Sequence, residues 1–269
     1  VTDYAPSLLL MVGIATSIRE SDDFDWIIFL HLIGAVVYSV WIFLFVPIGA
    51  DGRLGTLIYY DANDYTLLIV CTIPISIFFL RRGVPMWKRA FSLFALGLFV
   101  EMSVKSGSRG GFLGLLAVVV FILIKFRAIP TRLRLGAIGA GVVLFGLFGS
   151  ATYWNLMRTI LHPDNDYNMT EVTGRKAIWK RGVGYMLSRP ILGVGMGNFE
   201  QAEGTLSATG RSYASEGRGL KWSTAHNSFV LVGAELGFGG LVLFTTMLGT
   251  SFVRLSRMRG GAGGSPFLS

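Results

Sequence analysis

The chain has 269 residues, of which 52% are hydrophobic and only 15% charged, and its mean hydropathy is +0.58. A water-soluble domain carries about a quarter charged residues, so this composition excludes an ordinary soluble globule and points to lipid as the solvent. The net charge of +8 calls for no nucleic-acid partner once membrane topology is considered.

Taken in chain order, residues 5–18 read as the end of a membrane span. The start has no initiator Met, basic n-region or cleavage site, so Val1 is expected to lie partway through a longer protein. Apolar windows long enough to approach a hydrocarbon layer about 30 Å thick follow at 26–46, 65–80, 90–104, 111–124, 135–154 and 226–253. Cys71, the single cysteine, lies in one of them and can form no intramolecular disulfide. The expected fold is therefore all-α: a polytopic transmembrane helix bundle of about six to seven spans. Residues 1–154 form the bundle, 155–225 one long loop, 226–253 the final span and 254–269 a tail.

Lysine and arginine set the orientation. The connections around Arg19, 81–89, 125–134 and 254–259 hold 12 basic residues, whereas the opposite short connections hold only Arg53, Lys105 and Arg109. The first side is then cytoplasmic. The other nine basic residues lie in the outward loop, which is long enough to translocate whatever its charge.

Within that loop, 173–190 reads as an amphipathic helix with Thr173 as N-cap and Pro190 as its stop. Arg175 falls in the middle of the apolar arc of Ile178, Trp179, Gly182, Val183 and Met186, while Lys176, Lys180 and Arg181 lie outside it. An arginine centred on an apolar face breaks a local rule, as functional sites do. Arg109, in a tight Gly-Ser turn between two spans, either snorkels to the interface or binds an anion. Two arginines facing one water-filled pocket would suit a phosphate or pyrophosphate, gripped by forked donor pairs.

His226 stands where the loop re-enters the membrane. It is either a helix-entry residue, with Thr224 or Asn227 as cap, or a neutral imidazole able to take a proton from an attacking hydroxyl. Glu235, nine residues on, points away from it and is expected to make a structural pair. His31, inside a span, is expected to pack. "GVGMGNF" (193–199) has the glycine spacing of a dinucleotide loop, but no strand precedes it. "DNDYN" (164–168) has calcium-loop oxygens, yet Met169 and Arg175 stand where Gly and Glu are needed. An Asp-x-Asp metal site with His162 stays open on this reading. "DDFD" (22–25) reads as an acidic turn before a span.

Four stretches then occur in a telling order. They are "DANDYTLLI" from Asp61, "SGSRGGFLGLL" from Ser106, "GRKAIWKRGVGYMLSRPILGVGMGNF" from Gly174 and "HNSFVLVGAELGFGGLVLF" from His226. With these the chain resembles the O-antigen ligase/polymerase family of bacterial membrane glycosyltransferases, over about residues 61–250. The resemblance implies a multi-pass protein of the bacterial inner membrane whose active site faces the periplasm. Family members have around twice as many spans, which implies that an N-terminal half lies outside this sequence.

The activity implied is transfer of a glycan from undecaprenyl-pyrophosphate to an acceptor hydroxyl, independent of metal and with no cofactor. The functional residues implied are Arg109, Arg175 and His226, with Asn227 beside them as a substrate contact. The implied partners are the lipid-linked glycan, an acceptor such as lipid A-core or a second glycan, and membrane lipids. The related polymerases and protein O-glycosyltransferases differ in acceptor. A lipid or solute transporter is the rival of another class, and a membrane scaffold would leave Arg175 unexplained.

Overall fold

All seven apolar windows form helices. The computed structural model describes residues 5–49, 52–55, 57, 61–125, 131–162, 166–216 and 224–261. Among these the only extended pairing is an isolated bridge between Ile48 and Leu54. The chain divides into two compact units, 1–157 and 158–269.

The first unit holds α1 (Ala5–Ser17), α2 (Ser21–Phe45), α3 (Ala62–Phe78), α4 (Met86–Ser106), α5 (Arg109–Lys125), α6 (Thr131–Phe148) and α7 (Ala151–Arg158), whose last residue falls in the second unit. Its core is built by α2, α3 and α4 through Phe29, Leu32, Tyr65, Ile69, Phe99 and Met102, all fully buried. Small hydroxyl residues share these interfaces. Ser39, Thr66 and Ser103 are buried and return their O–H to the carbonyl four residues back, at 2.6–2.7 Å. Tyr65 donates across to Ser39 Oγ at 2.8 Å, tying α3 to α2. Small polar residues at tight interfaces are the way helices pack where apolar burial drives little. Outside, Leu30, Val37 and Leu44 of α2 stand about 60% exposed at heptad spacing, a stripe suited to lipid tails. His31 has a ring nitrogen 3.1 Å from Thr72 Oγ1.

Among the described residues, two helices are long and apolar enough to cross a membrane, Asp22–Phe45 and Ser228–Arg254. Leu8–Ser17, Ala62–Phe78 and Arg109–Ile124 are shorter apolar helices. The window at 135–154 is not one continuous helix. α6 stops at Phe148, and the Ser150 side chain accepts from Tyr153 N at 3.1 Å to start α7.

The second unit holds α8 (Tyr167–Thr170), α9 (Arg175–Ser188), α10 (Phe199–Thr205), α11 (Ala208–Ser215) and α12 (Ser228–Gly261). α12 breaks at Gly237, where φ is 68° and ψ −165°. A break strands backbone groups that must find partners. The segment after α9 supplies them: Val194 N and Gly195 N donate to the carbonyls of Ala234 and Glu235 at 2.9 and 3.0 Å, and Phe238 N donates to Pro190 O at 2.8 Å. Contact is so close that a Cβ on Gly237 would lie 2.4 Å from Pro190 O, and one on Gly193 2.4 Å from the Glu235 carbonyl carbon. The glycines that imitate a dinucleotide loop thus serve as a plug for a helix break. Glu235 makes the structural pairing expected of it, accepting from Phe199 N at 3.0 Å.

Candidate active site

In the first unit, Arg109 opens α5 directly after the left-handed cap of α4 at Gly107, where φ is 62°. Ser108, buried, takes the N–H of Gly111 on its hydroxyl at 3.1 Å and donates to Asn63 Oδ1 at 2.8 Å. Arg53 Nη2 donates to the same oxygen at 3.2 Å. Asn63 is held in turn by Asp61, whose carboxylate caps α3 by accepting from the N–H groups of Asn63 and Asp64 at 2.7 and 2.8 Å. At Gly111 a Cβ would lie 2.0 Å from Thr66 Cγ2, so α5 starts hard against α3. Two of the quoted stretches therefore meet physically, "DANDY" underpinning "SGSRGG". Arg53 and Asn63 belong to this cluster and were not singled out from sequence. A polar Asn inside the first turn of a capped helix was the available signal.

In the second unit, α9 begins one residue later than expected. Gly174 is its N-cap, with no side-chain cap, and Thr173 is exposed outside it. The buried stripe of α9 is Ile178, Gly182 and Tyr185, while Val183 is 41% exposed. At about 100° per residue the stripe is turned by roughly 60° from the expected arc. Arg175 consequently lies on one flank of the stripe and not at its centre.

The two flanks have different neighbours. On one, Arg181 grips Glu203 with two nitrogens, Nε lying 2.9 and 3.0 Å from the carboxylate oxygens, and sends Nη1 to Val172 O at 2.9 Å. Tyr185 donates to Glu203 Oε1 at 2.9 Å. Glu203 is 1% exposed, so its charge is matched by Arg181 where water cannot help. The Glu203 hydrogen bonds hold Arg181 more firmly protonated than an ordinary guanidinium. Burial first, and then Glu203, push the Tyr185 phenol above its usual range, which keeps it a donor. This triad is structural.

The other flank carries Arg175, Trp179 and Met186, within about 40° of one another, and it faces α12. Trp179 Nε1 donates to Ala225 O at 2.8 Å. A Cβ on Gly182 would lie 2.5 Å from Val230, and one on Gly233 2.7 Å from Met186 Sδ. Residue numbers rise together along both helices, so α9 and α12 run parallel and their N-termini share one end. Arg175, one turn before Trp179, lies at that end and on that side. It is half-buried and has no hydrogen-bond or ion-pair partner among the described residues.

His226 sits at the same end. Its φ is 47°, making it the only non-glycine residue with positive φ among those described, a conformation histidine adopts more readily than bulkier residues. Both neighbours are anchored. Ala225, fully buried, gives its carbonyl to Trp179, and Asn227 Oδ1 caps α12 by accepting from Phe229 and Val230 N–H at 3.0 and 3.2 Å. The imidazole itself is exposed, and no hydrogen bond holds it among the described residues. Of the expected site residues, Arg175, His226 and Asn227 lie in the second unit, at the N-terminal ends of α9 and α12. Arg109 belongs to the first unit.

Chemically, this end of the second unit favours an anion. Two helix N-termini converge on it, each equivalent to roughly half a positive charge, and Arg175 adds a forked cation. The His226 imidazole at the same end is exposed, with neither ring nitrogen hydrogen-bonded among the described residues. Of the sequence's metal-like stretch, Asp164 and Asn165 lie outside the described residues.

Residues 94–245, more than half of the chain, match the family model described as O-antigen ligase. The matched stretch contains Arg109, Arg175, His226 and Asn227. No curated protein and no solved structure matches the chain.

Proposed function

Because the chain belongs to the O-antigen ligase family, we propose that it transfers a glycan from undecaprenyl-pyrophosphate to an acceptor hydroxyl at the periplasmic face of the bacterial inner membrane. The observation that carries this reading is the parallel α9–α12 pair, which sets an unpartnered Arg175 and an exposed, backbone-clamped His226 at one end. His226 takes the acceptor's hydroxyl proton as its oxygen attacks the anomeric carbon. The bond from that carbon to the pyrophosphate breaks, and the leaving group departs with its charge already in place. Arg175 stabilises that charge with fixed donors, which need no reorganisation during the reaction. Arg109 is proposed as a second phosphate-gripping cation from its motif.

The family and the two long apolar helices make this a membrane protein; a bundle of six to seven spans with 155–225 outside is the proposed topology. In Cys71→Ala spheroplasts an impermeant thiol reagent should label Gln201→Cys and spare Arg257→Cys. Equal labelling of the two would overturn the orientation. The broken α12 is no argument for a transporter, in which unwound backbone is left to coordinate cargo. Here the stranded carbonyls of Ala234 and Glu235 are taken by the chain's own N–H groups.

The direct test is transfer of a labelled glycan by purified protein from its lipid-pyrophosphate to lipid A-core, to a second lipid-linked glycan, or to a protein. Lipid A-core is the acceptor expected to be extended. Product on one of the others would make the enzyme a polymerase or protein glycosyltransferase, and release of no free carrier with any acceptor would reject the reading.

A further inference from the structure

The end of the first unit remote from Arg109 carries a second site. α4 has 21 residues and is therefore about 30 Å long, the thickness of a hydrocarbon layer. Arg109 follows its C-terminus. At its N-terminus, where α2 also begins and α3 ends, lies a cavity of about 300 Å³ lined by Asp25, Phe79, Arg81, Arg82 and Lys88 among others.

Lys88 is the unusual member. It is only 8% exposed, and its ammonium lies 3.8 Å from the Trp26 ring centre and 4.8 Å from that of Phe29, with Trp87 and Phe79 farther off. Aromatic faces attract a cation but accept none of its three N–H groups in the geometry of a strong hydrogen bond. Among the described residues no oxygen accepts from it. The Asp25 carboxylate in the same cavity is paired with Arg81 through Oδ2, while its Oδ1 is buried without a donor. Arg82 is exposed at the mouth and has no partner among the described residues. The cavity thus holds three cations against one anion, with unused donors on the basic side and an unused acceptor on Asp25. Trp26 and Trp87, each about half exposed, flank it as aromatic residues do at a membrane interface.

We propose that this cavity binds a phosphate group presented by an anionic membrane lipid. Lys88 and Arg82 grip the phosphate, Asp25 Oδ1 takes a headgroup hydroxyl, and the two tryptophans border the acyl chains. Phosphatidylglycerol has both the phosphodiester and the hydroxyls; phosphatidylcholine has no donor for Asp25. The proposal requires a membrane-embedded chain but not the glycan-transfer reading, and its test involves no turnover.

Native mass spectrometry of the purified full chain, exchanged into detergent with equal phosphatidylglycerol and phosphatidylcholine, reads the bound lipid directly. Wild type should retain phosphatidylglycerol in preference. Arg82→Gln, at an exposed position that cannot upset packing, should lower that retention about fivefold, as expected for one basic contact near a lipid surface. Lys88→Gln should lower it by more than about tenfold, the loss of a hydrogen bond between charged groups, and Arg257→Gln in the tail should leave it unchanged. Equal loss in all three variants would reduce the effect to bulk charge, and unchanged retention in Arg82→Gln and Lys88→Gln would reject the site. A third arm adds millimolar inorganic phosphate. Displacement of the lipid by phosphate would keep the phosphate seat but reject the lipid as its source.

Discussion

His226→Ala should lower the rate of glycan transfer by about two to four powers of ten, the reach of a positioned general base, while donor binding changes little. The expectation comes from how the imidazole is held. Ala225 is tied to the Trp179 indole and Asn227 is tied to the first turn of α12, so the backbone between them has little freedom. The left-handed conformation at His226 is maintained by these anchors, and strain of this sort gathers at functional sites. Acting as a base requires the neutral ring. His226→Gln should lose about as much transfer as His226→Ala. Glutamine can hydrogen-bond an acceptor but is no useful base, so the two roles separate. A glutamine variant at nearly the wild-type rate would make His226 a positioning residue and remove the base from the mechanism.

The helices themselves were legible because a run of apolar residues long enough for lipid leaves the backbone one way to satisfy its hydrogen bonds. Their interruptions were not. Gly149 and Gly237 sit in apolar runs that would serve equally well as straight spans, and the groups that stabilise the break at Gly237 come from Pro190, Val194 and Gly195, more than 40 residues upstream. The same distance in sequence hid the purpose of "GVGMGNF", whose glycines answer to a backbone that only the folded chain brings near. The rotation of α9 was hidden for a related reason. Periodicity weighs Val183 and Tyr185 by their apolar character alone, whereas Tyr185 is buried because Glu203 accepts its hydroxyl. Arg53 and Asn63 escaped notice because each reads as an ordinary loop or cap residue until Ser108 is placed between them and the Arg109 turn.

Arg175 and Arg181, six residues apart on α9, lie on opposite flanks of its buried stripe. Arg175→Lys should lower kcat/KM for transfer by about tenfold to a hundredfold, which corresponds to losing one charge-assisted hydrogen bond worth 1.5–3 kcal/mol. Lysine keeps the charge and loses the planar fork that grips two phosphate oxygens at once. Because the native Arg175 side chain has no partner among the described residues, the substitution should leave thermal stability in detergent nearly unchanged. Arg109→Lys should show the same loss of transfer for the same reason. Arg181→Lys should behave in the opposite way. Its guanidinium is committed to Glu203, which is 1% exposed, and to Val172 O. A lysine there cannot reproduce the bidentate pair and leaves buried acceptors poorly matched, at a cost of about 1–3 kcal/mol. The melting temperature should fall while transfer per folded molecule holds. The pair of measurements is decisive because both substitutions conserve charge on one helix, so bulk electrostatics moves them alike. Normal transfer by Arg175→Lys would leave Arg175 as a packing residue at the flank of α9. A loss of transfer in Arg181→Lys at full stability would shift the phosphate grip to the flank that faces Glu203.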